Sequence, residues 1–139
     1  MTTDVDIAAA LAASLRQTDG LISAYLFGSV AEQRTHRESD VDVAVLLDWD
    51  QYPTSRERFD VRLRLIGCLE GVGGRTVDLV ILNDAPPQLA RHIMTTGRRL
   101  LLIDADRDRA QLRTTLSRAA DLEPFLQRSR ATKLRALAR

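Results

Sequence analysis

The strongest constraint on the fold is a pair of short apolar segments, each interrupted by one aspartate near its start. Val41–Leu47 contains Asp42, and Thr76–Leu82 contains Asp78. Short segments rich in valine, leucine and isoleucine predict buried β-strands. A carboxylate inside such a strand is costly unless another group compensates its charge. The two aspartates therefore indicate a compensating group, such as a bound cation, near the start of both strands.

Helix and strand signals alternate along the rest of the chain. Helices are predicted over about residues 4–16, 55–70 and 88–95 and from 104 onward, and further strands over 21–27 and 100–103. Pro124 is predicted to start a separate last helix, because proline fits a first turn better than a helix interior. The order predicts one α/β (α+β) domain over residues 1–139, with a core of about 1–103 and a C-terminal helical segment of about 104–139.

The composition, 45% apolar and 28% charged, is typical of a globular domain. The sequence shows neither a signal-peptide pattern at its start nor an apolar stretch long enough for a membrane span, so we expect a cytoplasmic protein.

Residues 1–53 carry nine acids and three arginines, whereas residues 54–139 carry ten acids and seventeen bases. The acidic half suits a cation site, and the basic half suits nucleotide phosphates or an acidic partner. The lysine-containing phosphate loop of kinases and ATPases is absent, which excludes that class.

A Gly-Ser pair, Gly28-Ser29, precedes Asp40-x-Asp42 by ten residues. Asp-x-Asp alone means little, because it occurs at five places in the chain, but only the 40/42 pair enters an apolar strand and follows the single Gly-Ser. On a strand, residues i and i+2 project to the same face, so both carboxylates point one way. Glycine allows a backbone to approach a phosphate, and Ser29 is predicted to begin a helical turn whose free N–H groups bind anions.

If the strands over 41–47 and 76–82 are neighbours, Asp78 can join Asp40 and Asp42 in one set of oxygen ligands. With no histidine or cysteine in the set, it favours Mg²⁺ or Mn²⁺ over zinc. Beside a triphosphate held by Gly28-Ser29, it predicts in-line displacement at the α-phosphorus, with Asp78 orienting or deprotonating the nucleophile.

Each of these residues also has an ordinary structural explanation. Gly28-Ser29 suits any strand-to-helix turn, Asp40 any loop that enters a strand, and Asp78 could pair with an arginine. Trp49 and Tyr52 could line a nucleotide pocket, although packing is the favoured role. The ordinary explanations require three separate coincidences at matching strand positions, so the catalytic interpretation is preferred.

The motif Phe27-Gly28-Ser29-x10-Asp40-Val41-Asp42, together with Val77-Asp78-Leu79-Val80, resembles the polymerase-β-like nucleotidyltransferase superfamily. Within this superfamily, the chain resembles in its small size the minimal nucleotidyltransferases (MNT), which are the MntA-like antitoxins of bacterial HEPN/MNT toxin–antitoxin pairs. The segments Gln88–Leu101 and Asp121–Pro124 are similar to that group as well. The resemblance implies the nucleotidyltransferase fold, a small mixed sheet flanked by helices with a C-terminal helical extension.

The resemblance also implies an activity and a partner. MNT antitoxins transfer AMP from ATP to a tyrosine of a cognate HEPN ribonuclease toxin, and this modification silences the toxin. The resemblance also implies that the two proteins form a hetero-oligomer. Carried over by motif, Asp40, Asp42 and Asp78 would be catalytic and hold Mg²⁺ or Mn²⁺, while Gly28 and Ser29 would bind the nucleotide. One departure is that Glu32-Gln33 stands where the family often has Arg-Gly. This departure supports an alternative, a non-catalytic antitoxin that acts by occlusion.

Two further expectations concern other substrates. AMP transfer to a small molecule such as an aminoglycoside is a second alternative, but relatives of that kind usually carry an extra helical domain. Only about fifty-seven residues follow Leu82, which disfavours it. Direct nucleic-acid binding is also disfavoured, because aromatic residues are nearly absent from the basic C-terminal segment.

Overall fold

A computed structural model describes residues 4–28 and 40–137 of the chain. The described helices are α1 (Asp4–Leu15), α2 (Ser55–Leu69), α3 (Pro87–Thr96) and α4 (Ala105–Leu137), and the strands are β1 (Leu21–Phe27), β2 (Val41–Leu47), β3 (Val77–Ile81) and β4 (Arg98–Leu102). Short 3₁₀ turns lie at Val72–Gly74 and Leu82–Asp84. Within these ranges no helix combines the length and apolar character that crossing a bilayer requires.

The four strands form one mixed sheet in the order β3-β2-β1-β4. β1 pairs antiparallel with both β2 and β4, whereas β2 and β3 run parallel. Asp42 of β2 lies opposite Asp78 of β3 in this register. The predicted fold class is confirmed, and β2 and β3 are neighbours, which is the condition on which the grouping of Asp78 with Asp40 and Asp42 depended.

Helices cover both faces of the sheet. Alternate residues of β2, such as Val43 and Val45, pack with α1 and α2 on one face. Ala44 and Leu46 pack with α3 on the other face. Because side chains alternate along a strand, Asp42 points to the same face of the sheet as Ala44, two residues later, which is the face that α3 covers. Asp42 lies closer to the start of β2 than the apolar residues that pack against α3.

One helix prediction was wrong. The proposed break at Pro124 does not occur, because α4 continues through that proline as one helix. Pro124 cannot donate to the carbonyl of Ala120, but Ala120 and Asp121 are exposed, so water can solvate the freed group. In α2, Phe59 and Leu63 are about half exposed. The α2 face that packs on the sheet instead uses residues such as Val61.

A buried carboxylate fixes the start of α4 to the sheet. Asp108 Oδ1 accepts hydrogen bonds from Ser23 Oγ at 2.6 Å and from Tyr25 Oη at 2.7 Å, and Arg99 lies 3.5 Å from Oδ2. Burial, followed by the hydrogen bond and charge of Asp108, raises the pKa of Tyr25 to about 12. The network ties α4 to β1 and β4 and so sets the direction in which α4 leaves the sheet.

We expect Asp108→Ala to lower the free energy of unfolding by about 3 kcal/mol, because the buried hydroxyls of Ser23 and Tyr25 lose a charged acceptor. Urea denaturation measures the change. Asp106→Ala is the matched control, since Asp106 is exposed and pairs only with Arg109, and it should shift stability by no more than about 0.5 kcal/mol. Equal midpoints for the Asp108 variant and the wild type would contradict this role.

Candidate functional site

The three predicted carboxylates lie where β2 and β3 begin. Asp42 and Asp78 are register partners on these adjacent parallel strands, and Asp40 directly precedes β2. Asp40 and Asp78 are exposed and Asp42 is partly buried. Adjacent strands lie about 4.8 Å apart, so the paired side chains are close neighbours. The sheet therefore brings the three carboxylates to one edge.

Gly28 lies at the same edge, at the end of β1. Phe27 pairs with Asp42 across the β1–β2 ladder, which places Gly28 against the Asp42 side chain. A Cβ atom at position 28 would overlap Asp42 Oδ2 and lie 3.1 Å from Asp42 Cγ. Gly28 also has a φ of +74°, in the left-handed region that favours glycine. Both facts require a residue without a side chain beside this carboxylate.

The Asp42 carboxyl carries the clearest electrostatic signature of the site. Burial raises its pKa above the ordinary value, and the charges of Asp78 and Asp40 raise it further. Within the described ranges, none of the three carboxylates forms a side-chain hydrogen bond or an ion pair, so the alternative pairing of Asp78 with an arginine is not observed there. Among residues 4–28 and 40–137, the fold therefore concentrates negative charge without a side-chain partner at this edge.

The donor set suits a hard divalent cation. All donors are carboxylate oxygens, the ligands that Mg²⁺ and Mn²⁺ prefer. A cation would also relieve the mutual repulsion that raises the pKa of Asp42. In the part of the chain that the structure describes, no group of three acidic, histidine or cysteine side chains is arranged so that it could hold a metal ion. The carboxylates thus fit such a cation in chemistry and location, without a preformed cage.

Some predicted features lie outside the described residues. Ser29, the predicted nucleotide-binding serine, and the Glu32-Gln33 departure both belong to the segment 29–39. Their roles stay predictions.

Trp49 and Tyr52 lie away from the carboxylates, after the opposite end of β2. Trp49 Nε1 donates to Gln111, and the Arg58 guanidinium stacks 4.7 Å from the centre of the indole ring. Tyr52 Oη donates to the Asp19 carbonyl. Trp49 also lines a cavity of about 520 Å³ between β2 and α4. The packing interpretation suits both residues better than contact with the nucleotide does.

Arg75 was not singled out from the sequence. It lies three residues before Asp78, and its Nη1 atom is buried with no hydrogen-bond partner in the described part of the chain. An unpaired buried donor is unusual in proteins. The available sequence signal was weak: one arginine among nineteen, directly before an acid-bearing strand. Arg75 is therefore a candidate contact for an anion at this end of β3.

The sheet order, the paired aspartates and the adjacent glycine together define a nucleotidyltransferase. The chain belongs to the polymerase beta nucleotidyltransferase family, whose family model matches residues 9–107. It is similar to the protein adenylyltransferase MntA of Shewanella oneidensis, with 35% identity over 80 residues, which cover 55% of this chain and 50% of that protein. The match thus spans about half the length of this curated relative.

Solved structures extend the similarity over nearly the whole chain. One is a toxin–antitoxin with AMP-PNP, 26% identical at a TM-score of 0.64, with 95% of this chain and 98% of that chain covered. Another is a tri-AMPylated Shewanella oneidensis HEPN toxin in complex with MNT antitoxin, with a TM-score of 0.61 and coverage of 99% and 100%. At 23% identity, this second match shows the fold alone. The resemblance to the MntA-like nucleotidyltransferases is confirmed.

Proposed function

We propose that this chain is a Mg²⁺-dependent nucleotidyltransferase antitoxin that transfers AMP from ATP to a tyrosine of a cognate HEPN ribonuclease toxin. The observation that carries the proposal is the contact of Gly28 with Asp42, together with the register of Asp42 and Asp78. A site with unpaired carboxylates beside a glycine that admits no side chain suits a metal-bound triphosphate. ATP as substrate and a ribonuclease as partner both favour a cytoplasmic setting.

The similar proteins support three parts of this proposal: the nucleotide, the transferred group and the partner. The curated relative is named as a protein adenylyltransferase. One matched structure contains AMP-PNP, an ATP analogue, and another contains an AMPylated HEPN toxin bound to its antitoxin. The nucleotide, the transferred group and the partner are therefore all represented among proteins that share this fold. By analogy, we expect a hetero-oligomer of the chain with its toxin.

The residues of the chain would divide the reaction between them. The Gly28 backbone would approach the triphosphate closely, and Arg75 would supply a cationic contact at the same end of the sheet. Asp78, exposed beside Asp42, would orient the acceptor hydroxyl and take its proton. The tyrosine oxygen then forms the bond to the α-phosphorus as the bond to pyrophosphate breaks, and pyrophosphate leaves with the electron pair.

Asp40, Asp42 and Asp78 would hold the cation. When bound, Mg²⁺ or Mn²⁺ supplies charge stabilisation to the phosphoryl oxygens and lowers the pKa of the attacking hydroxyl. The acidic edge fits that role because the carboxylates have no competing side-chain partners among the described residues.

Incubation of the purified chain with ATP, Mg²⁺ and the cognate HEPN toxin should add AMP-sized mass increments to a toxin tyrosine. Intact-protein and peptide mass spectrometry measure them, and Asp40→Ala/Asp42→Ala should remove them. An undiminished increment in that variant would refute the assignment of the site. Toxin neutralisation that survives replacement of Asp40, Asp42 and Asp78 together would instead support occlusion without chemistry.

A further inference from the structure

Helix α4 consists of a packed half and a projecting half. Residues Asp108, Thr115 and Ala119 are buried, and Gln88 Nε2 of α3 donates to the Ala119 carbonyl. No described residue after Ala119 is buried. Residues 120–137, which we call the tail helix, extend for about 27 Å at 1.5 Å per residue. More than half of α4 therefore lies beyond its last buried residue, and near the start of this part Glu123 Oε2 accepts a hydrogen bond from Gln88 Nε2 at 3.3 Å.

The tail helix has large apolar side chains facing solvent. Phe125 is 61% exposed, Leu134 66% and Leu137 83%. Helices of this length are marginal in water without tertiary packing. Leu134 and Leu137 lie on the side of the helix that Leu126 also occupies, whereas Phe125 is about 180° from Leu134 around the helix. Exposed apolar side chains grouped on one side of a helix are typical of a surface that a partner covers. The tail helix therefore requires an explanation that the core does not provide.

The bases and acids of the tail helix are separated along its length. Its two acids, Asp121 and Glu123, precede Pro124, and residues 124–137 contain four bases and no acid. Leu126, Arg130 and Leu134 follow each other at intervals of four, so a guanidinium lies within the apolar stripe. Arg130 is 67% exposed and approaches Glu123 only to 3.9 Å. The stripe thus presents alternating apolar and cationic groups to whatever binds it.

We propose that the tail helix docks on the toxin of the proposed function, in an apolar groove that carries acidic side chains. The inference rests on that function for the identity of the partner. A protein groove can place a carboxylate opposite Arg130, whereas a lipid surface requires an uninterrupted apolar face. A second copy would bring like charges together, and RNA would require more aromatic residues than Phe125 alone.

Binding of the full-length chain to the purified cognate HEPN toxin, measured by calorimetry without ATP, tests the inference. Leu134→Ser/Leu137→Ser changes two exposed side chains on the same side of the tail helix and should weaken binding about tenfold or more, as expected for central apolar contacts. Phe59→Ser/Leu63→Ser is the matched control, because these side chains of α2 are similarly exposed and lie outside the tail helix. The control should bind like the wild type, and thermal melts should show that both variants are folded.

A second experiment tests the charge of the tail helix with the double variant Lys133→Glu/Arg135→Glu. This variant should associate with the toxin more slowly than the wild type, and its association rate should depend less on salt concentration. Arg64→Glu/Arg91→Glu changes net charge equally on α2 and α3 and should have a smaller effect. If both double reversals slow association equally, net charge and not the tail helix is responsible, and the inference is overturned.

The remaining outcomes separate this inference from the proposed function. Tail variants that bind the toxin as tightly as the wild type overturn the docking inference alone. A toxin that binds through the tail helix but receives no AMP leaves docking intact and refutes the chemistry. If the wild-type chain does not bind the toxin at all, the toxin is not its partner, and both the docking inference and the proposed function are refuted. Tail-dependent binding to phosphatidylserine vesicles or to RNA, with toxin affinity unchanged by the variants, overturns docking in favour of that ligand.

Discussion

Asp42→Asn should abolish AMP transfer and, at the same time, stabilise the folded chain near neutral pH. The asparagine keeps the size of the side chain but removes its charge, so the proposed cation loses a ligand. Interactions of such cations are worth several kcal/mol in a transition state, which corresponds to a fall of about a thousandfold or more in rate. We expect this to be among the largest effects of any single substitution. Single-turnover transfer to the toxin, followed by mass spectrometry, measures the loss.

The stability gain follows from the direction of the pKa shift. Burial and the charges of Asp78 and Asp40 raise the pKa of Asp42 in the folded chain, so the folded state holds its proton to higher pH than the unfolded state. The free energy of unfolding therefore falls as the pH rises from the unfolded pKa through the folded pKa, and it stays lowered at neutral pH. Asparagine cannot ionise, so the free energy of unfolding of the variant does not undergo this fall. Thermal melts of wild type and variant, from below the ordinary pKa of aspartate to neutral pH, should diverge as the pH rises.

Asp50→Asn is the control for both effects, because Asp50 belongs to a different Asp-x-Asp pair and is mostly exposed. It should retain transfer activity and show no comparable gain in melting temperature. Added Mg²⁺ should raise the melting temperature of the wild type but not that of Asp42→Asn, since the cation offsets the same repulsion. A variant that loses activity and also melts lower at neutral pH would contradict the electrostatic account of Asp42.

Local patterns predicted the central strands because each is a short, mostly apolar run bounded by turn-forming or polar residues. The observed bounds of β1 and β2 are those predicted. β4 begins at Arg98 instead of Leu100, because the arginines pair with β1 although their side chains are exposed. The continuity of α4 through Pro124 was not predictable from local preference, since it depends on which carbonyl groups reach solvent.

The sequence predicts which carboxylates belong to the candidate site, but not which residues of the site lie next to one another. Asp42 and Asp78 could be grouped from sequence only on the condition that their strands are neighbours, and the parallel β2–β3 pairing supplies that condition. The contact of Gly28 with Asp42 depends on the β1–β2 register across the intervening segment, which no local pattern encodes. Arg75 was missed because an unpaired buried nitrogen is a property of tertiary packing.

Gly28→Ala should lower the rate of AMP transfer about a hundredfold, because displacement of a reacting group by about 1 Å can cost that much. The new methyl group would overlap Asp42 Oδ2, so the carboxylate must move away from its place beside Asp78. Alanine also pays about 1–2 kcal/mol to keep the positive φ of this position. We expect a moderate fall in melting temperature together with the much larger fall in transfer rate.

Gly67→Ala is the matched control for this substitution. Gly67 lies inside α2, and a Cβ atom there meets nothing within 4 Å. Alanine in a helix interior should stabilise the chain by about 0.5–1 kcal/mol and leave the transfer rate unchanged. The double variant Gly28→Ala/Gly67→Ala then restores part of the lost stability without restoring activity. Recovery of the transfer rate in this double variant would show that Gly28→Ala acts through folding and not through the position of Asp42.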